Sequence, residues 1–223
     1  MTDIVRIGDA TLYHADCRDV LPTLPKFDLL LTDPPYGIGA DIGQYQRGNT
    51  QRGQAKAISK QYGFSAWDGQ PADLSGLDLT RKAIIWGGNH FDLPAQTCWL
   101  VWDKQTGNNK YADCELAWTN LGGTIRKFTH LWNGMLQQDM GKKDIRCHPT
   151  QKPLALMKWC LGFAKDAKTV LDPFAGSCTV ARAAKDLGLK SVSIEQEERY
   201  CEIGAQRLRQ QVLDFEAMEV ANA

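Results

Sequence analysis

The chain has 223 residues, 43% of them hydrophobic and 23% charged, which excludes the disordered, collagen-like and membrane-embedded classes and suits one sizeable core. Lys+Arg and Asp+Glu balance at 26 each, so no global basic signature points to a polyanionic partner. Seven cysteines form no C-x-x-C pair and are odd in number, which fits free thiols in the cytoplasm rather than a disulfide frame or a metal site.

No apolar run approaches the ~20 residues of a membrane span, and acidic and basic residues within the first nine positions argue against a secretory leader. The first strong element is the apolar run 27–31, which ends at Thr32-Asp33-Pro34-Pro35. Two prolines stop it, because they lack a donor and restrict the residue before them. It reads as a buried strand with Asp33 at its carboxyl end. Residues 82–86 and 98–102 repeat the pattern of an apolar strand followed by a polar loop. Residues 154–164 have helical spacing. A strand at 169–171 ends on Asp172-Pro173, and a helix over 179–187 stops at Gly188. A strand at 191–194 ends on Glu195, and a last helix spans 197–212. This alternation predicts an α/β fold, a Rossmann-like, doubly wound, mostly parallel sheet in one domain over residues 1–223. Ligands in such sheets bind beyond the carboxyl ends of the strands, so Asp33, Asp172 and Glu195 form one candidate site. Residues 37–68 and 105–147 lack a strong period and read as function-bearing loops. The tryptophans at 86, 99, 102, 118, 132 and 159 lie mostly in apolar runs and are expected in the core.

Two motifs carry chemistry. Asp33-Pro34-Pro35-Tyr36 offers a carboxylate beside a carbonyl fixed by rigid prolines, then an aromatic face. That set suits a planar group bearing an NH₂: the acceptors take the amine hydrogens and the ring stacks on the tyrosine. An exocyclic amine is a poor nucleophile while its lone pair is delocalised, and acceptors that favour a tetrahedral nitrogen expose it. The second motif is Asp172-Pro173-Phe174-Ala175-Gly176-Ser177-Cys178-Thr179, between a strand and a helix. Small residues there let backbone approach a ligand at the helix amino terminus. Glu195 follows 19 residues after Gly176, where an acid can bind both hydroxyls of a ribose. Together these describe a nucleoside-cofactor site, and the G-x-G-x-x-G of a dinucleotide site is absent there.

With His148-Pro149-Thr150-Gln151-Lys152-Pro153 between them, these motifs occur in the order DPPY, HPTQKP, DPFAGS. In that order the chain resembles the S-adenosylmethionine-dependent DNA amino-methyltransferases of the permuted (beta) class, over nearly its whole length. The resemblance implies that Asp33 and the Pro34 carbonyl accept the hydrogens of the target amine, with Pro35 fixing the turn. Tyr36 would stack on a flipped base. It implies that Asp172, Pro173, Phe174, Ala175, Gly176 and Ser177 contact the methionine part of the cofactor, and that Glu195 binds its ribose. Asp16 and Cys17 look like the adenine clamp, and His148, Thr150 and Lys152 resemble the block that borders the methionine carboxylate. No metal is implied. Family members usually carry Gly where this chain has Cys178, and often Thr where it has Val180. If that position needs a positive backbone angle, Cys178 implies an altered loop path or weaker cofactor binding.

The remaining segments fit recognition of double-stranded DNA. The region 104–147 lies where such enzymes place a target-recognition insertion, and residues 104–146 carry a net charge of +3. Lys104, Lys110, Arg126, Lys127, Lys142, Lys143 and Arg146 are its candidate phosphate contacts. A mobile loop at 38–68, with Arg47, Arg52 and Lys56, is expected to close over DNA. Asp before Pro-Pro favours N6-adenine as the target; the alternative is N4-cytosine. An RNA methyltransferase or an inactive DNA-binding module is less favoured. The family also implies a homodimer, whereas a restriction partner cannot be read from the residues.

Overall fold

The computed structural model describes residues 3–39, 68–107, 112–133, 136–141 and 143–210. The expected loop at 38–68 therefore lies almost wholly outside the described residues, as do Arg47, Arg52, Lys56, Lys110 and Lys142.

The chain opens with a hairpin, β1 (Asp3–Ile7) and β2 (Ala10–His14), whose two-residue turn places Gly8 at φ 57°. A primed turn needs this left-handed conformation, and glycine adopts it without a Cβ clash. One turn of helix, α1 (Cys17–Val20), follows, and the Asp16 carboxylate caps it by accepting the Arg18 N–H at 2.9 Å. Then come β3 (Leu29–Thr32), β4 (Lys82–Trp86), β5 (Trp99–Asp103), β6 (Cys114–Thr119), β7 (Arg126–Thr129) and a small pair, β8 (Trp132–Asn133) and β9 (Leu136–Gln137). The last third alternates: α2 (Leu154–Leu161), β10 (Thr169–Asp172), α3 (Thr179–Asp186), β11 (Lys190–Glu195), α4 (Glu198–Arg209).

Nine strands form one sheet in the order β1-β2-β11-β10-β3-β4-β6-β5-β7. The five from β2 to β4 are mutually parallel, while β1 and β6 run against their neighbours. From the adjacent pair β3 and β10 the chain winds outward in opposite directions, to β4 and to β11. Their boundary is the switch point at which open α/β sheets bind ligands.

Alternate residues of β3 divide the core. Leu29 and Leu31 point to one face with Ile84, Trp86, Val170 and the apolar sides of α2 and α3. Leu30 points to the other with Ala83, Ile85 and Trp118, under Leu74, Leu77, Leu79 and Leu93 of irregular segments. The Rossmann-like fold is as expected, and among the described residues irregular segments bearing Leu74, Leu77, Leu79 and Leu93 cover this second face. The tryptophans behave as read: Trp86, Trp102, Trp118 and Trp132 are buried, and Trp99 and Trp159 pack partly buried against the core. Among the described residues no helix is long and apolar enough to cross a membrane.

The region 104–147 contributes two strands to the main sheet. β6 inserts between β4 and β5, and β7 forms the sheet edge, so its first half is scaffold. The aperiodic look of 114–119 has a physical cause: its first residues face polar partners and only Ala117, Trp118 and Thr119 are buried.

Cys178 resolves the departure in the cofactor loop. It caps α3 at φ 57°, ψ 41°, the left-handed conformation that glycine adopts readily. That conformation costs a residue with a Cβ about 1–2 kcal/mol. The thiol is fully buried, and burial pushes its pKa well above the ordinary value, which leaves it inert. Space for it comes from α4: a Cβ on Gly204 would lie 2.4 Å from Cys178 Sγ and 3.1 Å from its Cβ. The two positions are complementary. Gly204→Ala should lower stability by roughly 1–3 kcal/mol in chemical denaturation. In a Cys178→Gly background the same change should be neutral or stabilising, because alanine favours a helix interior. Equal losses in both backgrounds would refute the complementarity.

Candidate active site

Asp33 follows β3 directly, and its turn is held from outside by residues 68–72. The Gly37 N–H donates to Asp68 Oδ1 at 2.7 Å, and the Ala72 N–H donates to the Pro35 carbonyl at 3.0 Å. The Tyr36 ring lies parallel to that of His90, with centroids 4.9 Å apart and 10° between planes, and meets Phe91 edge-on. Gly87 makes this possible, since a Cβ there would fall 2.0 Å from a Tyr36 ring carbon.

The Tyr36 hydroxyl donates to Asp33 Oδ1. Lys152 Nζ donates to Asp33 Oδ2 at 2.6 Å and to the Tyr36 oxygen at 3.2 Å, and lies 3.0 Å from Glu115 Oε2. Glu115 is paired in turn with Lys104. Burial raises the Asp33 carboxyl pKa and the Lys152 charge opposes it. Burial would also neutralise Lys152 and Glu115, but their partners prevail: Lys152 is held above the ordinary lysine value, and Glu115 is drawn down to about 2. Lys152 and Glu115 are charged near neutral pH. Lys152 thus lines the cleft expected to hold the cofactor, but its ammonium is committed to the Asp33 side of it.

The carboxyl ends of β10, β11 and β2 build the rest. Asp172 is 3% exposed, accepts the Thr32 hydroxyl at 2.7 Å and the Phe174 N–H at 3.2 Å, and is pushed by burial up to about 7. Glu195 accepts the N–H of Gly176 at 2.6 Å and of Glu197 at 2.9 Å, and burial raises its pKa also. The cofactor loop is clamped from behind: Arg207 of α4 donates to Ser177 Oγ at 2.9 Å and Thr179 Oγ1 at 3.2 Å, and Ser177 donates to Gln151 at 3.3 Å. His148 packs on Tyr200 at 4.2 Å and accepts the Thr150 N–H at 3.3 Å. Burial, then Arg199, Lys152 and Arg146, push its pKa down to about 3, so it is neutral and no proton acceptor near pH 7.

Asp16, Cys17, Asp33, His148, Thr150, Lys152, Asp172, Pro173, Phe174, Ala175, Gly176, Ser177 and Glu195, the residues expected at a cofactor, line a single cleft of about 240 Å³. Their chemistry fits S-adenosylmethionine, which carries a sulfonium, an ammonium and two vicinal hydroxyls. Asp172 and Glu195 accept hydrogen bonds from neutral groups, a hydroxyl and backbone N–H groups, which suits the site to a cationic ligand. Glu195 retains acceptor capacity beyond its two N–H partners for a diol.

The basic residues divide. Arg126, Lys127 and Lys143 are exposed, with Lys127 3.2 Å from Asp103. Lys104 was expected on phosphate, but its ammonium is taken up by Glu115. Arg146 is half-buried and donates to the Pro149 carbonyl, which steadies the 148–153 turn. Glu115, Gln151, Arg207 and His90 were missed. Gln151 stood inside the 148–153 motif without a role assigned to it, whereas Glu115, Arg207 and His90 stand in no recognisable local pattern, because their roles come from contacts with residues distant in sequence.

A family model described as DNA methylase, of the N6/N4 type, matches residues 92–206. Type II methyltransferase M.HinfI of Haemophilus influenzae is 40% identical over 251 aligned residues, spanning 90% of this chain and 68% of the relative. Type II methyltransferase M2.DpnII of Streptococcus pneumoniae is 36% identical over 84 residues, 37% of this chain and 31% of that protein. Among solved structures, PvuII DNA methyltransferase (cytosine-N4-specific) superposes with a TM-score of 0.53 at 13% identity, covering 99% of this chain and 94% of that one, a likeness of fold. With its ordered motifs lining one cleft, the chain belongs to the N6/N4 DNA methylase family, the S-adenosylmethionine-dependent DNA methyltransferases.

Proposed function

We propose that this chain methylates the exocyclic N6 amine of an adenine flipped out of double-stranded DNA at a short fixed sequence. The observation that carries this reading is the position of Asp33: its carboxylate adjoins the Tyr36 ring and lines the same cleft as Asp172 and Glu195. Asp33 accepts the amine hydrogens, favours a tetrahedral nitrogen and so frees the lone pair for attack. Tyr36, backed by His90, offers a ring for the extruded base. Bound in the cleft, S-adenosylmethionine supplies a methyl group on a positively charged sulfur. Aspartate before Pro-Pro supports adenine over cytosine, as in the family pattern. Seven free cysteines are in keeping with the cytoplasm. The dimer expected from the family remains part of this proposal.

Incubation of mixed-sequence duplex DNA with methyl-labelled S-adenosylmethionine, then digestion to nucleosides, should give labelled N6-methyldeoxyadenosine. Asp33→Ala should lower the rate by on the order of 100-fold or more. Label in N4-methyldeoxycytidine would overturn the adenine reading, and full activity of Asp33→Ala would overturn the role of that carboxylate.

Asp172 gives a pH signature. Its folded pKa of about 7 lies above the ordinary 3.8, so Asp172 lowers the stability of the ligand-free fold progressively as pH rises from about 4 to 7, with the loss complete above 7. A cationic ligand favours the ionised form. Cofactor affinity should therefore fall up to about tenfold per pH unit below 7, and the thermal shift it produces should be larger at pH 8 than at pH 6. Asp172→Asn should flatten both trends; a pH-independent affinity in the unmodified chain would contradict the assignment.

Arg126, Lys127 and Lys143 are the exposed cations proposed to meet phosphates. Alanine at any one should weaken DNA binding evenly across sequences and reduce the slope of log affinity against log salt by about 1. An unchanged slope in all three variants would place the DNA on another face.

A further inference from the structure

Lys152 Nζ donates to Asp33 Oδ2 at 2.6 Å and to the Tyr36 oxygen at 3.2 Å, and forms an ion pair with Glu115 Oε2 at 3.0 Å. Lys152 is 7% exposed, so an unmatched hydrogen there would not find bulk water. Glu115 comes from β6, and its other oxygen is held by Lys104. Along Asp33, Lys152, Glu115 and Lys104 the charges alternate and sum to zero. The arrangement faces a conflict: the cation that favours the ionised form of half-buried Asp33 also competes with the target amine for its oxygens. A carboxylate has about four acceptor sites, of which Tyr36 and Lys152 take two. Without Glu115, the ammonium would have only Asp33 and Tyr36 to serve, and would settle over the sites the amine needs.

We propose that Glu115 is a positioning residue for methyl transfer: by sharing Lys152 with Asp33, it holds the ammonium off the Asp33 acceptor sites that the target amine needs. This rests on the reading of Asp33 as the amine acceptor. The charged groups that bear on Asp33 are Lys152 from the 148–153 turn, Glu115 from β6 and Asp172 from the end of β10, with Asp68 reaching it through Tyr36. A plain structural role, tying β6 to the 148–153 turn, would lower activity without ordering the pH response.

The test is the pH profile of kcat for the full chain, saturated with S-adenosylmethionine and a duplex substrate. Glu115→Gln should lower kcat on the order of tenfold to a hundredfold while the KM for S-adenosylmethionine stays within about threefold. Its acidic limb should move to lower pH, because a negative neighbour of Asp33 is gone. Lys152→Met should move that limb the opposite way, to higher pH, because the compensating cation is gone. Glu115→Asp keeps the charge and should recover much of kcat with the limb near its original place. It also serves if the glutamine variant folds poorly. Limbs that stay fixed or move in the same direction, or an undiminished kcat in Glu115→Gln, would overturn the proposal. An active Asp33→Ala would instead remove the acceptor reading beneath it, so the two failures are separable.

Discussion

Burying a carboxylate at the end of a central strand costs several kcal/mol unless a counter-charge with good geometry accompanies it. Asp33 is in that position, and Lys152 supplies the counter-charge from a turn 119 residues further along the chain. The pairing is possible only because β10 lies beside β3, which brings the segment preceding it over the carboxyl ends of both. Lys152 would itself be costly to bury alone, and Glu115 and Lys104 complete the compensation. Much of the architecture on this side of the sheet follows from that need. β6 enters the sheet between β4 and β5, and residue 115 at its start reaches the same centre.

The cofactor half of the cleft follows the opposite logic. Asp172 and Glu195 are buried and accept hydrogen bonds from a hydroxyl and from backbone N–H groups, all of them neutral donors. Their negative charge is held ready for a ligand that brings its own positive charge. A charge-paired carboxylate at Asp33 thus shares one cleft with a wall at Asp172 and Glu195 whose hydrogen-bond donors are neutral. Behind the wall, Arg207 and Gln151 fix the loop, and the Cys178–Gly204 contact fits α3 to α4.

The parallel centre of the fold was legible because β3, β4, β10 and β11 are apolar runs that end on proline, glycine or an acid. Three strand ends, Asp33, Asp172 and Glu195, were recognised as one site for that reason. The hairpin of β1 and β2 escaped notice because its strands are half-exposed and interleave charged residues. β6 and β7 escaped for a similar reason, since their polar faces mask the period. Charge composition misled at Lys104 and Arg146, which look like part of a basic surface but spend their charge inside the protein. The balanced total of 26 acids and 26 bases hides both kinds of residue, those paired in the centre and those free to meet DNA. Lys152 shows the limit most clearly. Its motif marked it as functional, but only the folded contact with Asp33 shows which half of the site it serves.

The division of labour between the two halves can be measured by calorimetric binding of S-adenosylmethionine and methyl transfer to duplex DNA, side by side, on Asp33→Ala and Glu195→Gln. The first variant should bind the cofactor within a few-fold of the unmodified chain while transfer falls on the order of 100-fold or more. The second should lose binding, with transfer recovering as cofactor concentration is raised. Loss of cofactor binding in Asp33→Ala, or unimpaired binding in Glu195→Gln, would contradict the separation of acceptor and cofactor roles.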